Sequence, residues 1–142
     1  MLLGNRSHQV DRTRSRHLAM MSNIDTARAI FVAYAEKDRA AAERLLAGDF
    51  RFCSPLDNAL GREKYFEICW PNSSAIAAFD IKHLVEDGDR VLVTYQASTT
   101  GGKQFRNTEV LTIRNSRIPL VEVYFGWNLP HEVPSGQHRD PS

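Results

Sequence analysis

The chain has 142 residues, with 18 basic and 17 acidic side chains and a formal net charge of +1. This length suits one domain with one hydrophobic core. The near balance of charge favours neither nucleic acid nor an acidic membrane surface as a partner. No apolar run approaches the roughly 20 residues that a membrane-spanning helix needs. We therefore expect a single cytoplasmic domain with no nucleic-acid or membrane partner.

Both ends of the chain lack a regular hydrophobic pattern. Residues 1–21 carry four arginines and one acid and lack the continuous apolar segment of a secretory signal, so we expect a disordered N-terminal extension. Residues 130–142 are rich in Pro, Ser, His and Gly and are expected to form a flexible tail. The domain is thus predicted over residues 22–129. Cys53 and Cys69 lack the spacing of a redox pair or a zinc set, and no metal or cofactor is expected.

Helical periodicity opens the domain. Ser22 and Asp38 are predicted to cap two successive helices, because their side chains can accept hydrogen bonds from free backbone amides. Gly48 is expected to end the second helix. A third helix is predicted around residues 65–70 and is expected to stop at Pro71.

Strand patterns make up most of the rest. A first short strand over residues 50–54 is followed by a loop over residues 56–60. Four further strands are predicted over residues 79–85, 91–98, 105–113 and 118–127. Turn-forming residues separate these four strands, which predicts an antiparallel meander. Helices followed by a meander indicate an α+β fold with the helices on one concave sheet face.

One predicted strand carries polar residues on a face that should be buried. Phe105, Leu111 and Ile113 share a face because side chains alternate along a strand. Asn107 and Glu109 lie on this same face. A carboxylate in apolar surroundings should have a raised pKa and can act as a general acid or base near pH 7. The sequence leaves open whether Glu109 instead pairs with an arginine or reaches solvent, and whether Asn107 is a structural amide.

The last strand can turn either of two faces inward. A regular two-residue hairpin before it would place Glu122 opposite Glu109. A bulge would instead turn the odd-numbered face inward, which holds Val121, Val123 and Phe125. Because the odd-numbered face is the more apolar one, we predict the bulge and an exposed Glu122.

Other polar residues have ordinary structural explanations. His83 shares a predicted face with apolar neighbours, as a structural histidine commonly does. Asp57 and Asn58 follow the first strand, where turn formation accounts for them. The sequence contains no Ser-His-Asp spacing, glycine-rich phosphate loop or clustered metal ligands.

Three stretches carry a family resemblance: AYAEKDRAAAERLLAGDFRFCSPLDNALGREKYF, NTEVLTIRNSRI and VEVYFGWN. Their order and spacing, over residues 24–128, resemble the nuclear transport factor two-like superfamily and in particular its SnoaL-like branch. Similar proteins include ketosteroid isomerases, limonene-epoxide hydrolases and polyketide cyclases. The resemblance implies a cystatin-like, cone-shaped, curved antiparallel sheet with about three N-terminal helices covering its concave face. It also implies a mostly apolar cavity and a homodimer.

The resemblance carries over only one functional acid. The helix tyrosine of the isomerases falls at Ile30 and their base at Ser54, whereas their strand acid corresponds to Glu109. The closing-strand acid of the hydrolases and cyclases falls at Val123. The implied catalytic candidates are therefore Glu109 and Asn107. The implied substrate-binding residues are Tyr34, Phe52, Ser54, Asp57, Trp70, Val121, Val123 and Phe125.

The expected partner is a small, mostly apolar organic molecule with one polar group. Acid/base isomerase, cyclase or hydrolase activity is one hypothesis for what the pocket does with it. A non-catalytic small-molecule binding protein and a structural homodimer with a vestigial pocket remain open as alternatives.

Overall fold

The computed structural model describes residues 21–136 and residue 138. The expected N-terminal extension over residues 1–21 lies outside the described residues, apart from Met21. The expected C-terminal tail is described only in part. Within the described part of the chain, no helix is long and apolar enough to cross a membrane.

The described residues form a helical layer and one six-stranded sheet. In chain order the elements are α1 (Asn23–Glu36), α2 (Arg39–Leu45), β1 (Leu46–Ser54), β2 (Asp57–Gly61), α3 (Arg62–Lys64), a π-helical turn (Tyr65–Cys69), a 3-10 turn (Trp70–Ala75), β3 (Ile76–Asp87), β4 (Arg90–Thr99), β5 (Gln104–Arg114) and β6 (Arg117–Leu129). The strand order is β2-β1-β6-β5-β4-β3. Only β1 and β6 are parallel, so the sheet is mixed. The predicted α+β class and the meander of β3 to β6 are confirmed.

Both predicted helix caps are present. The Asp25 amide donates a hydrogen bond of 3.1 Å to Ser22 Oγ. The Ala41 amide donates one of 3.1 Å to Asp38 Oδ1. Each bond satisfies a backbone donor that the first turn of a helix leaves without a partner.

Three local predictions in this region are wrong. Gly48 does not end α2; it lies inside β1, because pairing of β1 with β6 already begins at Leu46. Residues 57–61 form β2 rather than a loop, because the edge of β1 offers them an antiparallel partner. Pro71 does not stop the third helical segment either. It lies in the first turn of the 3-10 stretch, where a missing amide proton costs no hydrogen bond.

The core lies between the helical layer and the inner face of the sheet. Its fully buried side chains include Leu46, Phe50, Val91, Val93 and Ile118. Helix α1 packs across β3, β4 and β5. The helices therefore cover the inner face of the sheet, and the site described below lies between these two layers.

A bulge sets the register between β5 and β6. Pairing shifts by one residue close to the turn, so Glu109 lies opposite Val123, and Val110 lies opposite Glu122. This confirms the predicted bulge, with Val121 and Val123 buried on the inner face. Glu122 lies on the outer face, where it is half-buried rather than exposed.

A second bulge changes the face of β3. Pairing with β4 shifts between Ile81 and His83. Beyond the shift, Leu84 packs against the core, whereas His83 and Val85 are exposed. The prediction that His83 lies on the buried face is therefore wrong, because one inserted residue reverses the alternation.

Candidate functional site

A cavity of about 280 Å³ lies between the helical layer and the inner face of the sheet. Its volume is just below the roughly 300–1,000 Å³ that is usual for small-molecule pockets. Its exposed lining residues, Leu56, Asn72 and Phe125, mark the mouth. The buried Phe50 and Leu111 mark the closed end. Most of the remaining lining is aromatic or aliphatic, so the cavity suits a mainly apolar ligand.

Glu109 is directed into this cavity from the middle of β5. Within the described part of the chain, its carboxyl group has neither a hydrogen bond nor an ion pair. Burial alone raises its pKa from 4.5 to about 7, because an unpaired charge is costly outside water. The carboxylic acid and the carboxylate are therefore both populated at neutral pH.

Three tyrosines from different elements line the same cavity: Tyr34 on α1, Tyr65 in the π-helical turn and Tyr95 on β4. Burial is the main cause that raises the pKa of each phenol above its usual value, and the charge of Glu109 adds to the effect. All three phenols therefore keep their protons at neutral pH. They are neutral hydrogen-bond donors near an acid that can itself be charged or neutral.

Asn107 connects Tyr95 to the closing strand. Its Nδ2 donates a 3.3 Å hydrogen bond to the Tyr95 hydroxyl, and its Oδ1 accepts one of 3.2 Å from the Gly126 amide. A hydroxyl that accepts this bond still has its own proton to donate. At Gly126 the backbones of β5 and β6 approach closely, since a Cβ on residue 126 would collide with the carbonyl oxygen of Arg106.

The cavity brings together all but one of the site residues implied by the sequence. Those that line it are Tyr34, Phe52, Ser54, Asp57, Asn107, Glu109, Val121, Val123 and Phe125. The exception is Trp70, which is buried behind the wall, where its ring packs against Tyr34 and Phe66. Ser54 also shapes the turn before β2, because its Oγ accepts a 3.1 Å hydrogen bond from the Leu56 amide.

Sequence reasoning missed Tyr65 and Tyr95 as lining residues. A usable signal existed for Tyr95, which alternates in β4 with the buried Val91, Val93 and Ala97. That alternation predicts an inward side chain. Tyr65 lies in a π-helical turn, whose irregular geometry leaves no comparable period in the sequence.

Neither cysteine is an obvious reaction centre, and Cys69 is a neutral thiol. Cys69 lines the cavity, and burial, followed by the charge of Asp57, raises its pKa to about 11. Cys53 Sγ accepts a 3.3 Å hydrogen bond from the Ala59 amide. The described residues contain no group of three or more His, Cys, Asp or Glu side chains that could hold a metal ion.

Solved structures of other proteins share this architecture. An NTF-2 like protein of unknown function from Burkholderia xenovorans LB400 aligns with a TM-score of 0.66 and 21% identity, over 80% of this chain and 88% of that chain. An LEH-like epoxide hydrolase from M. tuberculosis aligns with a TM-score of 0.64 and 19% identity, over 73% and 82%. A cystatin fold protein from Novosphingobium aromaticivorans aligns with a TM-score of 0.62 and 20% identity, over 73% of this chain and 98% of that chain. At these identities the likeness shows the fold alone.

The family assignment comes from the sequence. No curated protein matches the chain significantly. The model of the SnoaL-like domain matches residues 27–120, which is more than half of the chain and extends from α1 to the first residues of β6. The chain therefore belongs to the SnoaL-like domain family.

Proposed function

We propose that the chain binds a small, mostly apolar organic molecule in this cavity and that Glu109 exchanges a proton with the polar group of that molecule. The supporting observation is the unpaired Glu109 carboxyl in an apolar enclosure, with its pKa raised to about 7. A group with a pKa near the working pH is well suited to both giving and taking a proton. This chemistry fits an isomerase, a cyclase or a hydrolase.

Tyr95 would hold the polar group of the ligand. Its hydroxyl accepts a hydrogen bond from Asn107. The same hydroxyl can still donate its proton to a ligand oxygen or a neutral amine nitrogen, or accept a second hydrogen bond from a ligand N–H. We infer that Asn107 is a positioning residue, since both ends of its amide contact the protein. One solved structure with the same fold is an LEH-like epoxide hydrolase. We therefore include hydrolysis among the candidate reactions.

The second candidate is a small-molecule binding protein without catalysis. The position of the closing-strand acid of the hydrolases and cyclases holds Val123, which faces the cavity. Glu109 thus lacks a second acid opposite it on β6. A binding protein would use the cavity in the same way but would leave its ligand unchanged.

A thermal-shift screen of ketones, lactones, epoxides, amines and sterols tests the binding part of the proposal. A ligand at a hundred times its dissociation constant should add about 2.7 kcal/mol of stability. Compounds that stabilise the protein are then assayed for turnover with wild type, Glu109→Gln and Glu122→Gln. The Glu122 variant is the matched control, because it makes the same change on the outer face of the neighbouring strand. Since Glu122 lies beside Val110 and Tyr124 on that face, the variant is used only after sedimentation shows the same assembly state as wild type.

We expect compounds that stabilise all three proteins but are converted only by wild type and Glu122→Gln. Full turnover by Glu109→Gln would contradict the proton-transfer role. Stabilisation without turnover in any of the three would favour the binding protein. If no compound stabilises any of the three proteins, the small-molecule function is wrong and the vestigial pocket is favoured.

We also infer that the outer face of the sheet forms a homodimer. Val85, Leu92 and Val110 pair side by side across three strands, and Val85 and Leu92 are exposed. The exposed Tyr124 lies on the same face of β6. An apolar patch on an exposed sheet face is typical of a contact surface, and sheet-to-sheet dimers are what the family resemblance implies.

A further inference from the structure

The charges around the cavity are all of one sign. Its lining includes two carboxyl groups, those of Glu109 and Asp57, and no Arg, Lys or His among the residues that the structure describes there. Neither carboxyl takes part in an ion pair within the described part of the chain. An anionic ligand would therefore enter without a counter-charge, whereas a cation would meet an unpaired carboxylate.

The wall of the cavity is unusually rich in aromatic rings. Nine aromatic residues of the described part of the chain line it: Phe31, Tyr34, Phe50, Phe52, Tyr65, Phe79, Tyr95, Phe105 and Phe125. Several lie in direct contact, with ring centroids 5.2 Å apart for Phe31 and Tyr95 and 5.2 Å apart for Phe52 and Tyr65. The face of an aromatic ring attracts cations, most strongly where water is excluded. Aromatic walls around a carboxylate are thus a favourable environment for an organic ammonium ion.

The carboxylate is also prepared for such a partner. Folding leaves Glu109 half-buried on the cavity wall, where its carboxylate is less well hydrated than in the unfolded chain and has no counter-charge within the described part of the chain. Because the carboxylate has already lost part of its hydration, the desolvation cost of forming the pair falls mainly on the incoming cation, while both charges gain by pairing. The three tyrosines whose pKa values are raised in part by the Glu109 charge are neutral hydrogen-bond donors. None of them can therefore act as a positive counter-charge for Glu109.

We propose that the ligand of this cavity is a small organic amine, whose ammonium group pairs with the Glu109 carboxylate while its hydrocarbon part lies against the aromatic wall. This inference rests on the proposed function, because it names the polar group of the molecule bound at the same site. The pair forms from ammonium and carboxylate, or from amine and carboxylic acid after one proton passes from Glu109 to nitrogen. Both routes give the same complex with the same number of protons.

The size of the cavity limits the hydrocarbon part. A volume of about 280 Å³ lies at the small end of ligand pockets. It suits an amine with one ring or a short chain better than a multi-ring molecule. The second carboxyl, on Asp57, lies nearer the mouth, since it follows the exposed Leu56 in the turn into β2. There it would attract the same cations that Glu109 binds deeper inside.

The test compares ligands that share a shape and differ in charge. Benzylamine, benzyl alcohol and benzoate, together with the cyclohexyl counterparts, are titrated calorimetrically into wild type, Glu109→Gln and Glu122→Gln at pH 8. At this pH Glu109 is ionised and a primary alkylamine is protonated. The order of affinities for amine, alcohol and carboxylate is measured on wild type alone and depends on no variant. Circular dichroism checks that each variant is folded.

We expect wild type to bind the amines about tenfold or more tightly than the alcohols, which corresponds to about 1.4 kcal/mol, and not to bind the carboxylates. Glu109→Gln should lose this preference for amines and keep its affinity for the alcohols. Glu122→Gln should behave as wild type. Alcohols that bind wild type as tightly as amines, or an amine affinity unchanged in Glu109→Gln, would show that the amine inference is wrong and leave small-molecule binding intact. Absence of binding by all six compounds would overturn the amine inference, while a hit of another class in the thermal-shift screen would preserve the proposed function.

Discussion

Replacing Glu109 by glutamine should stabilise the folded protein above pH 7. Burial raises the pKa of this carboxyl from 4.5 to about 7. Between these two values the folded protein retains a proton that the unfolded chain has already released, and above pH 7 the folded protein must carry the charge in its partly buried site. One pKa unit corresponds to about 1.36 kcal/mol, which makes the cost of ionising the buried group about 3 kcal/mol. Glutamine has nearly the same shape and carries no charge, so it avoids this cost.

The direction of the pH dependence follows from proton binding. Between about pH 4.5 and 7 the folded protein binds more protons at Glu109 than the unfolded chain does. The contribution of this group to the free energy of unfolding therefore falls as pH rises through this window. The advantage of Glu109→Gln over wild type should be small below pH 4.5. It should approach about 3 kcal/mol at pH 8.

Urea unfolding at pH 5, 6, 7 and 8 measures this difference, with the linear extrapolation applied to each protein. Comparing variants at each pH removes the contributions of the other titrating groups, which the two proteins share. Glu122→Gln controls for the loss of any glutamate and should show no comparable gain. A Glu109→Gln variant that is less stable than wild type at pH 8, or a difference that does not change with pH, would mean that the carboxylate has a stabilising partner. The description of Glu109 as an unpaired acid would then be wrong.

Two further predictions concern the strand packing and the assembly. Gly126→Ala should lower the free energy of unfolding by about 1–3 kcal/mol, because its Cβ would collide with the carbonyl oxygen of Arg106. Gly48→Ala is its matched control, since nothing lies within 4 Å of a Cβ there, and equal urea midpoints for the two would contradict the close approach. Tyr124→Lys should convert the proposed dimer to a monomer in sedimentation equilibrium, because it places a charge in the apolar outer face. Val32→Lys, on the exposed side of α1, should leave the dimer intact, and a monomeric wild type would refute the interface.

Local chemistry accounts for the parts of the fold that the sequence predicted. The caps at Ser22 and Asp38 depend only on a side-chain oxygen and an amide three residues later. The inward position of Glu109 follows from strict alternation along β5 with Leu111 and Ile113, both of which are buried. No knowledge of distant neighbours was needed for either prediction.

The wrong predictions depended on distant partners. His83 was assigned to the buried face because alternation was continued through β3, and the bulge after Ile81 reverses it. The residues of β2 include Asp57 and Asn58, which normally favour turns. They form a strand because β1 has an edge available for pairing. The alternation along β3 does not reveal its bulge, and the composition of β2 does not reveal its edge partner. The bulge before β6 was predictable because the odd-numbered face of that strand is the more apolar one.

The placement of Glu109 argues for a cavity that is used rather than vestigial. At pH 8 its unpaired carboxylate costs about 3 kcal/mol, a sizeable part of the roughly 5–15 kcal/mol of stability that folded proteins have. One substitution to a neutral residue would remove this cost. Beside it, Asn107 contacts both the Tyr95 hydroxyl and the Gly126 amide, so the polar atoms of the cavity are held in position. Destabilising groups that the surrounding structure holds in place are concentrated at functional sites. A ligand whose polar group compensates the Glu109 charge would offset this cost and stabilise the protein, because it binds only the folded state.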